Sequence, residues 1–415
     1  MKKLLGIVVL GLFLSGNAYA IPKWIGKAIK VCRVNQDIDL SMVWFEENGD
    51  IEDKEDFSLK KGDYITLNKR TNKNQKWYVA GNNYFPSKND EWKKFEVRNR
   101  AEKVKLKDFI VDCKKTSPKE IKYETHTVGS FNEIFNNNYS SKSVTLSGQL
   151  YLPKKKGKFP VVYIQHGTGN PKGLASFYFQ IIPKLKKEKI AVFIGDSYSK
   201  REKKLQGWRL GLASRVLDGL NVLNALSKHK NIDPDKIGIT GYSYGGMVAF
   251  FTAYPKLLDL VTNGKSFAAY MPVYPGCDVI FKDEKLVNKP MLMLHAELDN
   301  YAPTIDCIEY VKLLKEKGND VKLKIYEGAH HGFITVKETQ VLSKVGSFRY
   351  CKPGYITEEG YWFYNNKEWK NMTELETVNA VWKECGRPGV RIGGTVDQQQ
   401  QAITDTINFF KKHLK

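Results

Sequence analysis

The 415 residues predict an α/β protein: a mostly parallel sheet with helices on both faces, preceded by a small all-β domain. Three observations carry this. From about residue 121 onward, short apolar runs alternate with amphipathic stretches of helical length, the pattern of a parallel sheet covered on both sides. Residues 21–113 instead hold short β-type runs parted by polar turns. Finally, Ile237-Gly238-Ile239-Thr240 passes through Gly241-Tyr242-Ser243-Tyr244-Gly245-Gly246 into Met247-Val248-Ala249-Phe250-Phe251, which reads as buried strand, tight turn and helix.

In chain order, Met1-Lys2-Lys3 leads into the apolar run Leu4–Leu14 and then Ala18-Tyr19-Ala20. A charged start, a short apolar run and a small-x-small end describe a secretory leader over residues 1–20. The apolar run is short for a membrane span, and no later segment is long and apolar enough to cross a bilayer. An exported chain, periplasmic or secreted, is therefore expected. The net charge is +21, spread as lysine pairs and triplets such as Lys154-Lys155-Lys156. No basic helix concentrates it, which argues against a nucleic-acid surface.

Within residues 21–113, β-type runs fall at Val31–Val34, Leu40–Phe45, Tyr64–Asn68, Lys76–Ala80, Phe95–Val97 and Val104–Val111. Leu59-Lys60-Lys61-Gly62-Asp63-Tyr64 with Lys76-Trp77-Tyr78-Val79 resembles a bacterial SH3-like domain, which would imply contact with the cell envelope. The charged stretch 114–120, broken by Pro118, reads as a linker into a second domain over 121–415. There, strands are expected at Val144–Leu152, Val161–Gln165, Ile190–Ile194, Phe267–Tyr274, Met291–His295 and Val321–Tyr326. Helices are expected at Leu174–Glu188, Leu205–His229, Ile305–Lys317 and Gln398–His413.

The chemistry lies at strand ends. Gly241-Tyr242-Ser243-Tyr244-Gly245 is a G-x-S-x-G turn that must project a serine hydroxyl away from the sheet, with the Tyr244 N–H opening the following helix. Met291–His295 runs into Asp299. Tyr326-Glu327-Gly328-Ala329-His330-His331-Gly332-Phe333 follows another strand with two histidines. Gln165-His166-Gly167-Thr168-Gly169 ends an earlier strand in a glycine turn, where a second oxyanion donor belongs. Nucleophile, acid and base thus appear in the order Ser, Asp, His.

With these residues, and with Gly195-Asp196-Ser197-Tyr198, Arg201, Arg215…Asp218, Asn231–Ile237, Tyr274-Pro275-Gly276-Cys277 and Pro303…Cys307, the stretch from about Val144 to Lys415 is similar to the dienelactone hydrolase family. The resemblance implies an α/β-hydrolase fold with nucleophile Ser243, acid Asp299 and base His331. The family pattern Gly-Ala-x-His-x-Phe selects His331 and leaves His330 at the variable position. Tyr244 and Thr168 would supply the oxyanion amides, and His166, Arg201 and His330 are candidate substrate contacts. The alternatives are hydrogen bonding within the glycine turn for His166, a salt bridge to the scaffold for Arg201 and a merely flanking place for His330. Founding members of the family carry Cys at the turn; Ser243 places this chain with a broader exported esterase branch. Arg215 and Asp218, three apart on one helix, are expected to pair with each other. No metal or cofactor is called for.

A long insertion, about 345–391, separates the histidines from the last helix. It holds nine aromatics between Phe348 and Trp382 and begins just after the base, so it is either a wall or lid of the pocket or an inward-packed subdomain. The six cysteines are expected as Cys32–Cys113, Cys277–Cys307 and Cys351–Cys385, each inside one structural unit.

The expected activity is hydrolysis of carboxylic esters, small or attached to polysaccharide, through an acyl-enzyme. Two alternatives compete. A serine peptidase of the prolyl oligopeptidase type uses the same triad, but too few residues precede Val144 for its propeller. An envelope-binding protein on a hydrolase scaffold would have no need of Ser243, Asp299 and His331 together.

Overall fold

The computed structural model describes residues 25–45, 51–59, 61, 64–70, 76–80, 83–86, 95–99, 102–103, 106–115, 118–139, 143–169, 175–282, 285–335, 338–364, 366–370 and 372–415. The leader expected over residues 1–20 and parts of the SH3-like motif lie outside these. Among the described residues no helix is long and apolar enough to cross a membrane.

The N-terminal region forms two antiparallel sheets. In one, strand Ile25–Val34 runs between Tyr64–Arg70 and Ile110–Lys115; in the other, Ile38–Phe45 runs between Ile51–Leu59 and Phe95–Asn99. Cys32 and Cys113 join neighbouring strands of the first sheet by a disulfide.

The larger region is built on an eight-stranded sheet. Its strands are β1 (Lys119–His126), β2 (Ser143–Tyr151), β3 (Phe159–Gln165), β4 (Ala191–Asp196), β5 (Ile232–Tyr242), β6 (Ala269–Val273), β7 (Met291–Ala296) and β8 (Val321–Tyr326). The spatial order is β1-β2-β4-β3-β5-β6-β7-β8, with β2 antiparallel to both its neighbours and every later pairing parallel. The helices are α1 (Phe131–Phe135), α2 (Ala175–Lys187), α3 (Leu212–Ser227), α4 (Tyr244–Phe251), α5 (Pro255–Thr262), α6 (Thr304–Glu316), α7 (Glu374–Cys385) and α8 (Val396–Leu414).

The apolar strands bury both faces, and their period of two sorts them between two cores. Val161 and Tyr163 of β3 face a core shared with α3, α4, α5 and α6. Val162 and Ile164 face the opposite core, filled by Ile181, Ile182 and Leu185 of α2 and Ile403 and Phe410 of α8. Burying such a side chain contributes about 1.5–3 kcal/mol. This is the α/β-hydrolase fold that the resemblance implies.

Two expectations change. A strand, β1, starts at Lys119, inside the stretch expected as linker. Its charged residues hid it, because only Tyr123 and Thr125 turn fully inward. The helix expected from Leu205 begins instead at Leu212, after two short 3-10 turns at Lys203–Leu205 and Gly207–Arg209. Gly207 there takes a left-handed φ of +73° that interrupts the helix. The inserted segment is framed by an antiparallel pair, Gln340–Ser347 with Arg387–Ile392. Inside that frame, Gly354–Ile356, Trp362–Tyr364 and Lys367–Trp369 extend a small sheet from Val279–Phe281, the segment just after β6. Helix α7 starts with a capping box between Thr373 and Glu376. Disulfides Cys277–Cys307 and Cys351–Cys385 are both present.

Candidate active site

Ser243 sits at the corner between β5 and α4 with φ 55° and ψ −121°, a conformation that non-glycine residues rarely adopt. The corner persists because its surroundings leave no other path. The Ser243 amide donates to the Val273 carbonyl at 2.9 Å, and the Ser243 carbonyl accepts from Gly246 and Met247. A Cβ on Gly241 would stand 2.0 Å from the Gly245 carbonyl oxygen, and one on Gly245 2.4 Å from that of Gln165. The glycines are there so that the turn can close on itself and on β3.

His331 lies 2.9 Å from Ser243 Oγ through Nε2 and 2.7 Å from Asp299 Oδ2 through Nδ1. A carboxylate only accepts, so Nδ1 carries the proton and Nε2 is free to accept from the serine hydroxyl. The other Asp299 oxygen accepts from the amides of Tyr301 and Ala302, both at 2.9 Å, which fixes the carboxylate's aim. Burial opposes ionisation of Asp299, but the His331 ring and its hydrogen bond outweigh it and hold the carboxyl below its ordinary range. The return from the insertion clamps both loops. Gly393 exchanges backbone hydrogen bonds with His330 and His331, and the Arg391 amide donates to Asn300 Oδ1 at 2.8 Å.

Ser243 and His331 open on a cavity of about 180 Å³. Thr168 and Tyr244 border it too, and the Tyr244 amide, at the first position of α4, has no partner within its helix. The far wall comes from the insertion: Phe348, Trp362, Tyr364, Glu374, Val378 and Val381.

A family model described as Dienelactone hydrolase family matches residues 146–354, which include the serine turn, Asp299 and His331. This chain belongs to that family. Among curated relatives, Protein usf of Aquifex pyrophilus is 28% identical over 118 residues, 28% of this chain and 47% of the relative. The chain spans about half the length of the curated relatives it matches. Among solved structures, Thermogutta terrifontis esterase 2 is 19% identical with a TM-score of 0.38, covering 46% of this chain and 81% of that one. Est1E from Butyrivibrio proteoclasticus is 18% identical with a TM-score of 0.35, covering 45% and 86%.

In this dienelactone hydrolase family member none of the three candidate substrate contacts lines the cavity, and each takes a scaffold partner instead. His166 is fully buried; its Nδ1 meets the Gly167 carbonyl at 2.8 Å and its Nε2 accepts from the Ser197 amide. Burial, aided by Arg215, pushes its pKa well below the usual value, so it stays neutral and shapes the turn before Thr168. His330 Nδ1 sits 2.9 Å from the Leu298 carbonyl. Arg201 forks onto both Asp218 oxygens at 2.7 and 2.9 Å.

That fork displaces the expected Arg215–Asp218 pair. Arg215 instead donates to the His166 carbonyl and lies over the rings of Tyr198 and Tyr244. Helical spacing brought the two residues near one another, but the guanidinium from the loop after β4 reaches Asp218 in bidentate geometry, which a neighbour on the same helix does not match.

Sequence reasoning missed Asp278 and Glu374, which also line the cavity. Asp278 was within reach, since it follows Cys277 beyond a strand end, at the sheet edge where site residues gather. Glu374 carries no local signal. Its carboxylate reaches across to the amide of Ala213, at 3.2 and 3.1 Å, capping α3 from another part of the chain. Gly211 makes room for it, since a Cβ there would fall 2.1 Å from Glu374 Oε2. Burial pushes the Glu374 pKa up to about 8.

Proposed function

We propose that this chain is an exported serine esterase that cleaves carboxylic esters through an acyl-enzyme. The observation that carries the reading is the continuous relay from Ser243 Oγ through His331 to Asp299 at the edge of one cavity. A serine hydroxyl is a poor nucleophile until a base takes its proton during attack. His331 Nε2 does so as Ser243 Oγ bonds to the ester carbonyl carbon, while Asp299 steadies the imidazolium. The tetrahedral oxyanion is held by the amides of Tyr244 and Thr168, each contributing about 3–4 kcal/mol to the transition state. His331 then protonates the departing alkoxide, leaving an acyl-serine. Water repeats the sequence on the acyl-serine, releasing the acid and restoring the hydroxyl. Export is supported by the leader-like residues 1–20 and by three disulfides.

A fluorophosphonate probe tests the reading. It labels the wild-type chain at Ser243 in parallel with loss of short-chain p-nitrophenyl ester hydrolysis, and Ser243→Ala shows neither label nor turnover. A wild-type chain that neither labels nor hydrolyses esters overturns the proposal.

A further inference from the structure

The net charge of +21 would lead one to expect a basic active site, yet among the described residues no Lys or Arg lines the cavity. The lining holds two acidic side chains instead, and they are not equivalent. Glu374 is already engaged by the Ala213 amide and, at 3.4 Å, by Trp362 Nε1. Among the described residues, no other residue sets a hydrogen-bond donor against the Asp278 carboxylate; its own backbone amide is the only one. Burial raises its pKa, and Asp306, raised to about 6 by burial and by Asp278 beside it, adds no compensating charge. The buried cation Arg215 stands behind the Tyr244 ring, 4.7 Å from its centre, donates through Nη2 to the His166 carbonyl, and is not among the residues lining the cavity.

The remaining walls mix aliphatic residues with aromatic ones, Trp208, Phe348, Trp362 and Tyr364 among them. Ring faces stack on flat or pyranose rings and attract cations through their quadrupole. The volume, about 180 Å³, exceeds by little the ~150 Å³ of an apolar cavity that holds one benzene. One ring-sized group fits.

We propose that Asp278 makes this cavity selective for esters whose enclosed, ring-sized moiety carries a hydroxyl or ammonium donor, and closes it to esters bearing a carboxylate there. The inference rests on the esterase reading and names its substrate class. A donor or cation gives the Asp278 side chain a partner beyond its own backbone amide, whereas a substrate carboxylate would be desolvated beside Asp278 with no Lys or Arg among the described lining residues.

The test uses benzyl acetates and ethyl phenylacetates carrying hydrogen, hydroxymethyl, aminomethyl or carboxylate at the para position, so that either side of the ester can fill the cavity. In the series that is turned over, kcat/KM for the aminomethyl and hydroxymethyl esters is expected to exceed that for the carboxylate at least tenfold. Asp278→Asn is expected to shrink the aminomethyl-to-carboxylate ratio by tenfold or more. Calorimetric binding of 4-methylbenzylammonium and 4-methylbenzoate to Ser243→Ala gives the same comparison without turnover, and only the ammonium should bind. A carboxylate ester used as well as its hydroxymethyl counterpart, a ratio unmoved in Asp278→Asn, or equal binding of the two ions overturns the inference while leaving the esterase reading intact. Absence of turnover with selective ammonium binding overturns the esterase reading alone.

Discussion

Two regions face each other across the cavity, and they are made in opposite ways. The serine turn concentrates its requirements in six consecutive residues: a left-handed serine, glycines that let backbones approach to contact distance, and a helix that begins at the next amide. The inserted wall opposite draws Phe348, Trp362, Tyr364, Glu374 and Val378 from several separate segments. It is held to the body by strand pairing of Gly354–Ile356 with Val279–Phe281 and by the Glu374 carboxylate on the end of α3. Backbone hydrogen bonds such as Asn132 to Gly360 and Glu374 to Gly129 add to these, as do the Gly393 and Arg391 contacts to the histidine and aspartate loops. The serine turn thus rests on short-range geometry, and the wall opposite rests on long-range packing.

The largest expected effect lies on the turn side. Ser243→Ala and His331→Ala should each lower ester turnover by roughly 10⁴-fold or more, with the fold unchanged by circular dichroism; substantial residual activity in either would break the assignment. Gly241→Ala attacks the same turn through its backbone. The clash with the Gly245 carbonyl should cost about 3 kcal/mol or more, read by urea denaturation, and a loss under ~1 kcal/mol would show that the turn is not tightly closed.

The disulfides sharpen the contrast. Removing Cys277–Cys307 or Cys351–Cys385 by paired Ser substitutions should destabilise by a similar amount, about 2–4 kcal/mol, because the bonds span 30 and 34 residues. Their effects on activity should differ. The first bond ties the β6 end to α6 beside the Asp299 loop and should lower kcat. The second lies wholly in the insertion and should mainly raise KM. Equal kinetic profiles would mean that floor and wall are not separable.

Glu374 predicts a pH signature for the wall. Its folded pKa, about 8, lies above the ~4.3 of an unfolded glutamate, so the native state binds the extra proton. Its contribution is full below about pH 4 and is lost as pH rises to about 8, at most ~1.4 kcal/mol per pH unit. Thermal melts of Glu374→Gln against wild type should converge with that slope removed; parallel pH profiles would contradict the buried position of the carboxyl. The smallest effect belongs to His330→Ala, expected to stay within about tenfold of wild-type turnover, ~1.4 kcal/mol, because its ring is occupied by the Leu298 carbonyl. A loss as deep as that of His331→Ala would shift the base to His330.

By itself the sequence determined the alternation of strands and helices, the serine turn, and the order of Ser243, Asp299 and His331, because each depends on spacing within one element or on the residues just past one strand end. It also led to the three cysteine pairs, since each bond closes within one unit. Tertiary structure alone decided which charges met. Arg201 took Asp218 from Arg215, Glu374 crossed 161 residues to cap α3, and Asp278 was left facing the cavity without a donor from another described residue. The reason is physical: hydrogen bonds between distant segments depend on how sheet layers and insertions stack, and a buried charge takes the partner whose geometry is best rather than the one nearest in sequence.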